Sequence, residues 1–205
     1  MPRVVAVSAV VVVVLLGAAQ LALPAIAERR IEDRLERDGG SAKADVSAFP
    51  ALRLLFGDGD SLEVTGSGLR VDPTAQQDVL ARIDGFDEVD VALAQVDAGP
   101  FQVEAFELAR GEGERDYSVE VAGTTSGREF ARYVGSRAGG PLGGLLGDLA
   151  TGGLPAAGSE IPVDVSAAIR SREGEIETRD ARGTVAGIPA GPLVDLVVEA
   201  VVRRL

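Results

Sequence analysis

The chain has 205 residues, 46% of them hydrophobic and 25% charged, enough for one domain with its own core and too little for two comfortable ones. Its net charge of −12 repels phosphate backbones and argues against nucleic acid as a partner. It has no Cys and no His, which removes disulfides, thiolate nucleophiles, iron–sulfur ligation, a lipoprotein anchor, the usual general base and the commonest zinc ligand.

Trp and Asn are also missing, and Lys43 is the single lysine against nineteen arginines. With so much Ala, Val and Gly, this bias reads as a high-GC genome rather than as chemistry.

Residues Val4 to Ala27 form an apolar stretch broken only by Ser8, Gly17, Gln20 and Pro24, with Arg3 before it and Glu28, Arg29 and Arg30 after it. At 1.5 Å per residue it is long enough to span a hydrocarbon core of about 30 Å. It also fits a signal peptide, with its apolar centre at Ala9 to Leu16 and a small-x-small site at Ala25-Ile26-Ala27. Both readings, a cleaved signal over 1–27 and an uncleaved anchor, deliver residues 28–205 to the outer side of the cytoplasmic membrane. Localisation is therefore expected to be exported, either anchored or periplasmic.

A short charged helix is expected from Glu28 to Gly39, with Ile31 and Leu35 as its i, i+4 apolar pair. Ala44 to Phe49 reads as a strand. The dense apolar block from Phe49 through Phe56 is closed by the turn Gly57-Asp58-Gly59-Asp60. Leu62, Val64, Leu69 and Val71 alternate as a strand pair or as one strand bent at Gly66 and Gly68. Asp72-Pro73 opens a helix that runs through Ile83.

Period-two alternation follows at Val89, Val91 and Leu93, at Phe101 and Val103, at Val119 and Val121, and at Ile161 through Ile169. It predicts an antiparallel sheet with one wet face. A change of phase near Ala105 to Leu108 predicts a bulge or bend. Ser126-Gly127-Arg128-Glu129 is a capping box for a helix carrying Phe130, Tyr133 and Val134. The glycine-rich segment from Gly139 to Gly158 holds Leu142, Leu145, Leu146 and Leu149 and reads as an apolar loop. A β-hairpin turns at Glu173-Gly174, and Pro192 to Leu205 forms a terminal apolar helix.

No enzyme is expected. Gly66-Ser67-Gly68 is an incomplete nucleophile elbow without a histidine. The acidic cluster of Asp84, Asp87, Glu88 and Asp90 misses the calcium-loop spacing. The hairpin tip Gly111 to Arg115 lacks the lysine of a phosphate loop. No catalytic residue, metal ligand or cofactor is assigned.

What remains is apolar surface in excess of an obvious core. A curved sheet wrapped against helices leaves an elongated cavity suited to acyl chains. The expected lipid-binding residues are Phe101, Val103 and Phe130 along the sheet, with Phe49, Leu52, Leu55 and Phe56 and the loop residues Leu142, Leu145, Leu146 and Leu149 at the entrance. Each block also has a plain reading as core. The expected partners are a phospholipid or other acyl lipid and the membrane, with a protein partner on the apolar surfaces as the alternative.

The order of these segments resembles the LmeA family of actinobacterial phospholipid-binding envelope proteins. The resemblance spans nearly the whole chain. It rests on the leader and charged helix from Glu28 to Arg37, on Phe49-Pro50-Ala51-Leu52 through Leu55, and on Leu62-Glu63-Val64-Thr65. Further along it rests on the helix Arg128 to Val134, on Ile161-Pro162-Val163-Asp164-Val165, and on Val185-Ala186-Gly187-Ile188-Pro189. It implies an α+β fold similar to the tubular lipid-binding proteins, working outside the cytoplasmic membrane in envelope lipid or glycolipid maintenance. It implies no catalytic residue. The chain ends sooner after Pro189 than the family pattern, which bears on the shape of any cavity.

Overall fold

The computed structural model describes residues 2–70, 79–99, 101–126, 160–172, 175–185 and 188–189, of which 2–16, 79, 172, 175–176 and 188–189 are described by backbone alone. The expected helices at 128–134 and 192–205, the glycine-rich loop, and with them Phe130, Leu142, Leu145, Leu146 and Leu149, lie outside the described residues.

Helix α1 runs from Pro2 to Leu35. Strands β1 (Ser41–Ser47), β2 (Gly59–Ser67), β3 (Phe86–Ala98), β4 (Phe101–Arg110), β5 (Tyr117–Ser126), β6 (Glu160–Arg172), β7 (Glu175–Val185) and the two-residue β8 (Ile188–Pro189) form one sheet in sequence order. Helix α2 (Val79–Ile83) sits between β2 and β3. The class is α+β, a broad sheet with helices gathered at one end.

The strands expected to pair antiparallel, β3 to β6, do so, and the departure from an antiparallel sheet lies before them. β2 and β3 run parallel, Leu62 opposite Val89 and Val64 opposite Val91, while every other neighbouring pair is antiparallel. Alternation reports which face of a strand is wet and is silent on its direction. The crossover through residues 68–85, α2 included, is what carries the chain back to start β3 in the same sense as β2.

One face of the sheet carries the core. Val89, Leu93, Phe106, Leu108, Val119, Val121, Val163 and Val165 are all buried, and their neighbours in sequence face outward. The predicted phase change is a bulge in β4. Val103 pairs with Gly123 but Ala105 with Ala122, so Glu104 is the extra residue, and Glu104 and Ala105 are consecutively exposed. Gly123 accommodates the bulge, because a side chain there would collide with the Gln102 carbonyl. A second register shift lies between Ser166 and Ala168 in the β6–β7 pairing, where Asp180 takes a φ of 47°. Bulges bend and twist the strand that carries them, which curves the sheet.

The leader and the charged segment were expected to be separate elements, with a new helix starting at Glu28. They form a single helix through Pro24. Pro24 removes one hydrogen bond from the helix without ending it, and the first glycine after Gly17 is Gly39. Gly39, at a φ of 115°, ends the short 3₁₀ segment Glu36–Asp38 that follows α1.

The last turns of α1 lie along β1, the free edge of the sheet. Glu28 accepts from the backbone N–H of Val46 (3.3 Å), Glu32 from Ala44 (3.1 Å) and Glu36 from Ala42 (2.9 Å). Four residues of helix advance about 6 Å and two residues of strand about 6.8 Å, so the two ladders stay nearly in step. Carboxylates thus occupy alternate outward donors of an edge that would otherwise be open to pairing with another chain. Gln20 extends the same row. It donates to the Ala48 carbonyl (2.8 Å) and accepts from the Ala51 N–H (2.8 Å), fixing the apolar block that begins at the cis Phe49–Pro50 bond. Within that block Ala51–Phe56 is a 3₁₀ helix closed by Gly57 in the left-handed region.

Glu32→Ala is expected to speed amide exchange at Ala44 about fivefold, for a bond of about 1 kcal/mol. Glu32→Gln, which keeps the acceptor, should retain most of the protection. Residue-resolved hydrogen exchange checks both.

Candidate functional site

Three rows of side chains descend α1 at i, i+4 spacing. Glu28, Glu32 and Glu36 take the edge strand. Ala27, Ile31 and Leu35, one residue earlier and so about 100° round the helix, pack half-buried against the core. Arg30 and Arg34 lie on the other flank of that apolar row and are exposed. The edge strand therefore fixes the rotation of α1, and that rotation fixes where the arginines stand.

Beneath the apolar and arginine rows is a cavity of about 270 Å³. Its floor is the inner face of β2, β3 and β4, with Leu62, Val64, Val91, Leu93, Phe106 and Leu108. Ile31 and Leu35 close it from α1, and Leu80 and Ile83 from α2. Phe86 completes the apolar lining. The cavity is small beside typical ligand pockets of about 300–1,000 Å³, the size for a slender apolar ligand rather than a bulky one. The polar residues among those that line it are Arg30, Arg34 and Arg82. Among the described residues, no carboxylate lines it and none of the three arginines forms an ion pair.

Of the residues predicted for the lipid site, the described ones, Phe49, Leu52, Leu55, Phe56, Phe101 and Val103, do not line this cavity. Phe101 and Val103 lie on the same inner face, at the opposite end of β4, only 4% and 3% exposed. They border a void of about 10 Å³, too small for an acyl chain. Phe49, Leu52, Leu55 and Phe56 are at the surface instead, with Phe49 and Phe56 77% and 83% exposed. Leu21 and Ile26 of α1 are exposed too. Sequence reasoning missed Arg30, Arg34 and Arg82. The i, i+4 spacing of the first two beside Ile31 and Leu35 was the available signal.

At the α2 end of the sheet lies a buried polar cluster. Asp84, just after α2, accepts from the Tyr117 hydroxyl (3.0 Å) and from Ser171 (2.5 Å) and stands 3.8 Å from the Arg110 guanidinium. Arg110 also donates to the carbonyls of Phe86 and Asp84 and stacks 4.4 Å from the Tyr117 ring centre. Its Nε has no partner among the described residues. Asp84, a member of the acidic cluster that misses the calcium-loop spacing, joins α2 to β4, β5 and β6. Nearby, Arg170 grips Asp116 through two bonds of 2.6 and 3.0 Å, and this hydrogen bonding holds the Asp116 carboxyl below its ordinary range.

Burial, the largest influence, pushes the Tyr117 hydroxyl well above its ordinary value; the Asp84 carboxylate adds to the rise and Arg110 opposes it. The fold thus favours the neutral phenol. Its contribution is fully present below the unfolded pKa of about 10 and is lost as the pH rises beyond it. The thermal midpoint should fall from about pH 10 upward, and Tyr117→Phe should flatten that fall. A melting series between pH 8 and 12 checks it.

A broader, shallow hollow of about 710 Å³ lies on the opposite face of the sheet, lined partly by Glu107, Glu120, Asp164 and Arg182. Glu107 and Glu120 are directly cross-strand. Ala105, Ala122 and Ala181 line it as well, so apolar and charged side chains are mixed across an open surface.

No protein-family model matches the chain, and no curated protein or solved structure matches it. Among the described residues no helix is long and apolar enough to cross a membrane, and the apolar run Val4–Leu16 falls in the part of α1 described by backbone alone.

Proposed function

We propose that the protein is a non-enzymatic lipid-binding protein of the cell envelope, holding an acyl chain of a phospholipid in the cavity under α1. The observation that carries this reading is the cavity itself: apolar on its floor and both walls, and placed where two helices meet the sheet. Each methylene taken from water contributes about 0.8 kcal/mol, so a dry slot suffices for binding without a catalytic group. The resemblance to the LmeA family and to tubular lipid-binding proteins supports the same reading. So do the apolar leader, which would take the domain to the outer side of the cytoplasmic membrane as signal or anchor, and the absence of Cys and His.

The exposed apolar block fits this reading as a membrane contact. Gln20 ties Ala48 and Ala51 to α1 near the end of the apolar run from Val4 to Ala27. If that run lies in a bilayer, Phe49, Leu55 and Phe56 sit at the level of its interface, where exposed aromatic and aliphatic side chains gain from burial. A protein partner on the same apolar surface is the alternative reading, and the exposure of Phe49 and Phe56 is what favours it.

Flotation of the full chain with phospholipid vesicles separates them. The chain should float, and the protein recovered from the vesicles should carry lipid. Phe49→Asp with Phe56→Asp should lower the floated fraction severalfold without changing the lipid loaded from detergent. A chain that neither floats nor carries lipid leaves the protein-partner reading in its place.

A further inference from the structure

We propose that Arg30, Arg34 and Arg82 form a headgroup site at the mouth of the cavity, selecting an amphiphile with a single acyl chain in the slot and a phosphate group at its end. This deepens the lipid-binding reading and rests on it. The chain carries 32 acidic against 20 basic residues, yet among the described residues the polar ones lining the cavity are three arginines. Arg30 and Arg34 share one face of α1, and Arg82 reaches the same cavity from α2. All three are exposed residues that line the cavity beside apolar side chains.

Asp33, the carboxylate of α1 beside Arg34, is exposed and does not line the cavity. Glu28, Glu32 and Glu36 face the other flank and accept from the β1 backbone. Arginines with no ion pair among the described residues of an acidic protein are a local inversion of its field. Phosphate oxygens match the planar fork of a guanidinium, and two or three forks around one anion give both affinity and orientation. The arrangement thus separates the ligand into an apolar tail below α1 and an anion at its flank. A free phosphate would use the arginines alone and ignore the slot.

The test is calorimetric binding of monododecyl phosphate, 1-dodecanol and inorganic phosphate to the full chain. Monododecyl phosphate should bind at least tenfold more tightly than dodecanol and far more tightly than inorganic phosphate. Arg30→Gln with Arg82→Gln should bring the two dodecyl compounds to within about threefold of each other, whereas Arg30→Lys with Arg82→Lys, which keeps the charge, should preserve most of the preference. Equal binding of dodecanol and monododecyl phosphate by the unaltered chain would overturn the headgroup site while leaving the acyl slot standing. Inorganic phosphate binding as tightly as the dodecyl phosphate would overturn it in favour of a free-anion site. Binding of neither dodecyl compound would remove the acyl slot and the headgroup site together.

Discussion

Asp84→Ala is expected to destabilise the domain by about 3–5 kcal/mol, the usual cost of leaving a buried charge without its counter-ion. Arg110 is only 8% exposed, and Asp84 is the one carboxylate that pairs with it among the described residues. The substitution also takes the acceptor from the Tyr117 and Ser171 hydroxyls, and Tyr117 is among the most deeply buried side chains. A loss of this size is a large part of the total stability of a small domain. Asp84→Asn keeps an acceptor for the hydroxyls but not the charge, so it should cost less than the alanine. Urea denaturation of the three proteins checks the order. Equal stability of all three would mean that Arg110 is satisfied by the Phe86 and Asp84 carbonyls alone.

Val91→Phe is expected to reduce acyl-chain affinity at least tenfold while changing stability by no more than about 1–2 kcal/mol. Val91 is half-buried, lines the cavity, and lies between Val64 on β2 and Leu108 on β4. Phenylalanine is as good a strand residue as valine, so the sheet register should hold. The ring would enter a space of about 270 Å³ that has no side chain in it, which lowers the overpacking cost that a filled core would impose. What the ring fills is the volume an acyl chain needs. Titration with a fluorescent fatty acid, beside a denaturation curve, separates lost binding from lost folding.

The strands were legible because one face of each is wet. Val89, Val119 and Val163 stand inside, and Asp90, Glu120 and Asp164 outside, and the sequence says so directly. Even the β4 bulge was visible as the break in phase before Phe106. The parallel β2–β3 pair was hidden because period two is the same in either direction. The cavity was hidden for a different reason. Leu62, Leu93 and Phe106 look like any other inward residues, and only the angle of α1 over them decides whether the space is filled. That angle is set by Glu28, Glu32 and Glu36 bonding to the β1 edge, a pairing across elements that no local pattern announces. For the same reason apolar content alone pointed to Phe101 and Val103, which are core, and to Phe49 and Phe56, which face outward.

The central claim is that the cavity beneath α1 holds an acyl chain. Native mass spectrometry of the full chain, purified from a membrane-containing host beside its Val91→Phe variant, tests it most directly. A lipid-sized mass is expected on the unaltered protein, shed on collisional activation and missing from the variant. A bare mass for both proteins, or a lipid carried equally by both, would contradict it.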